Sequence, residues 1–463
     1  LEVGMTVGIH RRGGFTALAG LAALALAATA CGGSSSPSAG GGGGGTSASP
    51  VAGCEEYTQY GDLKGKTITV YTGIVTPEDQ LLKDTWAPFE KCTGATVKGE
   101  FDKTFEAQIL VRQKAGNLPD IAIIPQPGLL QTLVKSGKAI PADAATTAMV
   151  DKNFSASWKS YGTVDGKFYA PPQNASMKSL VWYSPKEFAS KGYKVPTTLD
   201  ELKTLSDTIA ATGKKPWCAG IGSGEATGWP ITDWMEDFML RTAGPEEYDK
   251  WVNHTIAFNS AGPTAALDAV GAYLKNSKYV NGGLGDVKSI ASTTFQDGGL
   301  PIPKGQCSFH RQASFYAANW AKGTKVGPDG DVFAFYLPGK TATDKPVLGG
   351  GEFLLAFRDA PEVHAFQSYV ASTTWANLAE QGGGGRSVTP NKNADPAKCS
   401  ACSDIDKLAI SVLQDPAAVF RFDGSDAMPS AVGANSFWKQ ATNWITGQST
   451  KSTVDKIEAS WPK

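Results

Sequence analysis

The chain predicts an α/β protein built as two lobes, and three observations carry that prediction. Lys66-Thr67-Ile68-Thr69-Val70-Tyr71 alternates and is rich in β-branched residues, so it reads as a strand. An apolar-periodic stretch follows Pro77, and Ile121-Ala122-Ile123-Ile124 is a short continuous apolar run stopped by Pro125. Strand, helix, strand in that order builds a parallel sheet with helices on its faces. The third observation is length: from Cys54 onward about 410 residues remain, more than one hydrophobic core usually holds.

Each element has its own warrant. In the helix after Pro77, Leu82, Trp86 and Phe89 share one face, and Gly94 stands just past the end. Thr198-Leu199-Asp200-Glu201 is a capping box that opens a helix carrying Leu199, Leu202, Leu205 and Ile209, with Gly213 closing it. Further helices are expected over 264–276, 361–380 and 435–446. In open α/β sheets ligands bind beyond the carboxyl ends of the strands. That points to the loops at 72–76 and 125–128, with Gln126 as a candidate contact.

The N-terminal stretch predicts an address. His10, Arg11 and Arg12 precede an Ala/Leu run at 19–30, too short for a stable membrane span, with small residues leading into Cys31. This is the pattern of a lipoprotein signal peptide over 1–30, started at Leu1 or Met5, with Cys31 as the lipidated N-terminus of the mature chain. An ordinary secretory signal is the alternative. A thioether-linked diacyl group supplies the two chains that stable anchoring needs. Residues 31–54 then form a Gly/Ser-rich tether, including the glycines at 40–45, with an end-to-end distance of roughly 25 Å. The expected location is the extracellular face of the membrane.

Composition narrows the partners. A formal net charge of −1 and the absence of basic runs argue against nucleic acid, and no later apolar stretch is long enough to span a bilayer. Of seven cysteines, Cys31 is assigned to lipid, and an even remainder outside the cell reads as disulfides. Proximity and element spacing favour Cys54 with Cys92, Cys218 with Cys307, and Cys399 with Cys402. The last pair is also a CxxC, but the Pro/Asp/Lys-rich residues before it lack the strand a redox motif needs. Without a second CxxC or a histidine pair, no metal is expected.

Catalytic signatures are missing. No HExxH and no P-loop occur, and Gly220-Ile221-Gly222-Ser223-Gly224 has its glycines at the wrong offsets for a nucleophile elbow. Instead, aromatics interleave with hydrogen-bonding side chains, most densely from Gly228 through Trp229, Thr232, Asp233, Trp234, Glu236 and Phe238. A carbohydrate requires this mixture, since its C–H faces stack on flat rings while its hydroxyls need donors and acceptors. Trp229, Asp233 and Trp234 are therefore candidate contacts, the competing reading being a packed amphipathic helix. Asp233 and Glu236 as a glycosidase pair is disfavoured, because one helix face seldom carries both carboxyls of a pair that must flank a bond.

At these residues the chain resembles a known family. Pro216-Trp217-Cys218-Ala219-Gly220, Ala226-Thr227-Gly228-Trp229-Pro230 and Thr232-Asp233-Trp234 are similar to the α-glucoside-binding proteins of ABC sugar importers, within the extracellular solute-binding proteins that include maltose-binding protein. Pro125-Gln126-Pro127-Gly128, the block from Cys307 to Phe315 and Phe420-Arg421-Phe422-Asp423-Gly424-Ser425-Asp426 agree, so the likeness runs from about residue 66 to the C-terminus.

The resemblance implies a periplasmic-binding-protein-like fold of type II, each lobe a mixed sheet flanked by helices, joined by crossing hinge strands. Lobe 1 is expected over 55–175 and 336–388, lobe 2 over 176–335 and 389–463, with crossings near 169–183, 332–337 and 387–391. On that architecture Thr72 and Gln126 line one lobe, and Trp229, Asp233, Arg311, Gln312 and Phe315 line the other. Gly350, Glu352 and Arg386 lie near the hinge. Many maltodextrin binders place an acid where this chain has Met177, so the sugar-binding acid is expected from Asp233 or Glu352. The implied function is capture of a short α-glucoside for delivery to ABC permease subunits, without catalysis or cofactor, by a monomer. A surface glycoside hydrolase and a carbohydrate-binding adhesin are the rival classes.

Overall fold

The computed structural model describes residues 54–281, 286–381, 388–394, 402–413 and 415–462. The expected signal peptide, Cys31, nearly all of the tether, Arg386 and Cys399 lie outside the described residues.

Two mixed sheets organise the chain. In the first, the expected strand Thr67–Thr72 pairs in parallel with Ile121–Ile124, Val70 opposite Ile121, and with Thr96–Phe101 on its other side. Ile121, Ala122, Ile123 and Ile124 are all fully buried, as an apolar run covered on both faces requires. Thr96–Phe101 escapes sequence reading because Lys98, Gly99 and Glu100 break its apolar pattern. The long strand Lys345–Ala356 runs antiparallel to Ile121–Ile124 and to Pro172–Met177. In the second sheet the order is Phe333–Tyr336, Leu180–Tyr183, Phe309–Arg311, Trp217–Cys218, Val280–Asn281.

The chain passes between the sheets twice along short routes. Met177 ends a strand of the first sheet and Leu180 begins one of the second, so Lys178 and Ser179 bridge them. Phe333–Tyr336 in the second sheet leads back to Lys345–Ala356 in the first. Near the expected third crossing, the Ala175 amide donates to the Val388 carbonyl at 2.7 Å. One placement differs from expectation. Residues 389–463 were assigned to the second lobe, yet Ala418–Phe422 pairs in parallel with the first sheet's long strand, Leu348 opposite Arg421. Phe422 packs there with Tyr161 and Phe353, and that apolar contact sets the strand's place.

The helices follow their sequence signals with two breaks, the expected helix over 361–380 forming Pro361–Val370 and Thr373–Gln381. The stretch after Pro77 forms Glu78–Asp84 and Ala87–Thr93 rather than one helix, but Leu82, Trp86 and Phe89 are buried together as expected. Thr198 caps Leu199–Ala211 by accepting from the Glu201 amide at 3.1 Å, while the Glu201 carboxylate reaches back to the Thr197 amide at 2.7 Å. Among the described residues no helix is long and apolar enough to cross a membrane.

Cys54–Cys92 and Cys218–Cys307 are disulfides, and Cys402 is also disulfide-bonded. The Cys218–Cys307 bridge closes a separation of 89 residues, and a loop of that length constrains the unfolded chain strongly. Replacing both cysteines by alanine is expected to destabilise the protein by about 2–5 kcal/mol. Denaturant titration checks this; a loss under about 1 kcal/mol would contradict it.

Candidate functional site

A cleft of about 450 Å³ opens between the two sheets. Its first wall is built by the loops that the strand ends predict. Thr72 closes its strand and accepts from the Ile74 amide at 3.2 Å, shaping the turn into residues 73–76. Gln126 follows Ile121–Ile124 and precedes the helix Pro127–Lys135. Its amide nitrogen donates to Glu106 at 3.2 Å, while its Oε1 is buried without a partner. Burial pushes the Glu106 carboxyl above its usual range.

The second wall is aromatic. Gly228 has a φ of +117°, and a Cβ there would stand 2.1 Å from the Trp438 carbonyl oxygen, so only glycine delivers the chain into the helix Trp229–Thr242 at this point. Trp229, first in that helix, lines the cleft with Phe295 and Phe315, its ring centroid 5.0 Å and 6.1 Å from theirs. Gly350 and Glu352 also line the cleft. Gly349, Gly350 and Gly351 are not a loop but lie inside the long strand, opposite Met177, Ser176 and Ala175.

Of the expected contacts, Thr72, Gln126, Trp229, Phe315, Gly350 and Glu352 therefore meet on one cleft. Asp233, Trp234, Arg311 and Gln312 do not line it. Trp234 is core, packed edge-on against Trp217 at 5.0 Å and stacked on Phe238. Gln312 is fully buried, its Oε1 accepting from the Ala313 amide. Asp233 is fully buried as well, and both its oxygens are engaged, Oδ1 by Lys178 at 3.1 Å and Oδ2 by Arg311 at 2.8 Å. Hence it is not an open acceptor for a ligand, as the sequence reading had it, but part of an ionic network behind the cleft.

That network joins Lys178, Arg241 and Arg311 to Asp233, Asp237, Asp423 and Asp426, with Glu236 beside them. Arg311 holds Asp237 through Nε at 2.9 Å, and Arg241 holds its other oxygen at 2.7 Å. Lys178 bonds Asp423 as well as Asp233 and stands 3.7 Å from Asp426. Three cations thus face five carboxyls, which such a buried space cannot leave all ionised. The titrations divide accordingly. Burial pushes Asp233 up to about 6 against the pull of Lys178 and Arg311. Burial and the neighbouring carboxyls push Glu236 and Asp426 well up. For Asp423 burial, the largest effect, is outweighed by Lys178 together with hydrogen bonds from Asp233 and the Asp426 amide, which hold it at about 2.

Asp233, Glu236 and Asp423 converge closely enough to invite a metal. The Lys178 ammonium and the amides of Gly424 and Ser425, 2.9 and 3.0 Å from the Glu236 carboxylate, take those acceptor positions instead.

The sequence reading missed Glu106, Lys178, Phe295, Asp426 and Trp438 on the cleft wall. Asp426 lay inside a block already singled out, and Lys178 follows directly on the crossing strand, so both positions carried a signal. Phe295 carried none.

Comparison with known proteins agrees with this architecture. Residues 73–377 match the family described as bacterial extracellular solute-binding protein. The chain is 37% identical over 426 residues to the alpha-glucosides-binding periplasmic protein AglE of Rhizobium meliloti, covering 89% of this chain and 90% of that one. It is 36% identical over 417 residues to the osmoprotective compounds-binding protein GgtB of Synechocystis, covering 89% and 96%. In structure it is similar to maltose-bound T. maritima MalE3, with a TM-score of 0.66 at 16% identity over 85% of this chain and 98% of that one. With a cleft between two mixed sheets and most of its length matched, the chain belongs to the bacterial extracellular solute-binding proteins.

Proposed function

We propose that this chain captures a short α-glucoside outside the cell and hands it to the permease of an ABC importer. The observation that carries the reading is the cleft wall itself, where Trp229, Phe295 and Phe315 stand opposite the hydrogen-bonding groups of Thr72, Glu106 and Gln126. Flat rings facing polar groups suit the apolar faces and hydroxyl rims of a pyranose. The name of the R. meliloti relative supports α-glucosides, and that of the Synechocystis relative points to small osmoprotectants as the neighbouring ligand class.

In this proposal the two sheets are the cores of two lobes, the first over 55–175 and 336–388 with the strand Ala418–Phe422 added to it. Ligand bound to both walls stabilises the closed form by its differential affinity. The lobes turn about the bridges at 177–180 and 336–345. The protein acts as a monomer held at the outer membrane face through Cys31.

The test is a thermal-shift screen against trehalose, sucrose, maltose, maltotriose and simple hexoses, followed by calorimetry. At a ligand concentration about 100-fold above Kd the folded state gains about 2.7 kcal/mol, readily seen as a rise in Tm. Maltotriose is expected to be recovered intact after incubation. Shortened products would favour a hydrolase, and no shift with any sugar would overturn the proposal.

A further inference from the structure

Lys178 occupies an unusual position. It sits on the bridge between the two sheets, yet its ammonium reaches the cleft floor, 5.6 Å from the centre of the Trp229 ring. Room for it is reserved in the long strand, where a Cβ on Gly350 would stand 3.0 Å from Lys178 Cε. An ammonium has three hydrogens to donate. Asp233 and Asp423 take two of them. The next acceptor is Asp426 Oδ2, at 3.7 Å, which is beyond hydrogen-bonding range.

Asp426 is the complementary half. Its backbone amide is committed, donating to Asp423 Oδ1 at 2.8 Å and fixing the turn Gly424–Ala427. Its carboxyl lines the cleft and, among the described residues, accepts no hydrogen bond. A spare donor and an unused acceptor therefore stand side by side on the cleft wall, separated by slightly more than one hydrogen bond. A single oxygen set to one side of the pair, about 2.8 Å from each, can bridge them. Water can fill that place, but so can a ligand hydroxyl, which accepts and donates at once. A deoxy carbon can do neither.

We propose that Lys178 and Asp426 form a hydroxyl-reading subsite, in which one ligand hydroxyl accepts from Lys178 Nζ and donates to Asp426, so that Asp426 selects ligands with a free hydroxyl at that place. The inference rests on the carbohydrate reading above and deepens it. Trp229 beside the pair supplies the stacking face, and the pair fixes which edge of the sugar ring points inward. Sites built to bond a hydroxyl reject analogues lacking it strongly, because the protein groups are then left buried and unpaired.

The experiment is calorimetric titration with maltose and trehalose and with their monodeoxy derivatives. For the parent protein, one monodeoxy position is expected to weaken binding by at least about 30-fold. Asp426→Ala is expected to bind the parent sugar about 30-fold more weakly and to bind that same deoxy sugar no worse than the parent sugar. Asp426→Asn keeps the shape and one acceptor oxygen, so it should lose about threefold to tenfold and shrink the deoxy penalty. It carries the test if the alanine variant does not fold. Retention of parental affinity within twofold by a folded Asp426→Ala, or a deoxy penalty unchanged in either variant, overturns the subsite while the proposed function stands. If the parent binds neither these sugars nor any other in the screen, both fall together.

Discussion

Lys178→Met should cost about 3–5 kcal/mol of folding stability, the range for breaking a buried ion pair by removing one partner. Methionine replaces the packing of the side chain but not its charge. Asp233 keeps Arg311, whereas Asp423 is left with the Ser425 hydroxyl and the Asp426 amide as its donors. Acid should narrow the deficit. In the parent, Asp423 titrates near 2, below its unfolded value, so its contribution is present above the unfolded pKa and is lost only as pH falls through about 2. Without Lys178 its folded pKa rises above the unfolded one. The variant's remaining stability is then favoured below the unfolded pKa and falls as pH rises through the new one. Denaturant titrations at pH 5 and pH 8 should show the larger gap between parent and variant at pH 8. A loss under 1 kcal/mol at both would mean that the network is not held by this lysine.

The same network marks where sequence reading stops. Ile121–Ile124 was legible because an unbroken apolar run has few other places to go, and the Thr198 cap because its geometry is local. Trp229 was legible as a cleft residue because it stands in a stretch that interleaves aromatics with hydrogen-bonding side chains. Asp233 looked the same and was not. Its partners Lys178 and Arg311 lie 55 and 78 residues away, and nothing within a helical turn announces them. A buried aspartate with distant cations and a cleft aspartate with a sugar are spelled identically. The glycines at 349–351, expected near the hinge, lie in the strand paired with Ala175, Ser176 and Met177. Such runs normally mark loops, but here they are strand residues made small because Phe420, Lys178 and Trp158 crowd the places where their side chains would be.

Trp229→Ala should weaken binding of the best α-glucoside by about 30-fold or more, since a tryptophan anchor at a binding surface is commonly worth at least about 2 kcal/mol. Two features make this side chain the anchor. It is part of the cleft wall, while Trp234 one turn further on is fully engaged in the core. Its ring is also held in place, edge-on to Phe295 at 65°, so little conformational freedom is left to lose when a sugar stacks on it. The fold should tolerate the change. Alanine is a good helix former, and beyond local packing the main loss is the Lys178 ring contact, worth about 1 kcal/mol. Trp229→Phe, which keeps a flat but smaller face, should fall between parent and alanine. Calorimetry for affinity together with apo Tm separates stacking from packing. A Tm near the parent's with affinity down about 30-fold supports the anchor, whereas unchanged affinity in a folded Trp229→Ala would place the stacking face on Phe295 or Phe315 instead.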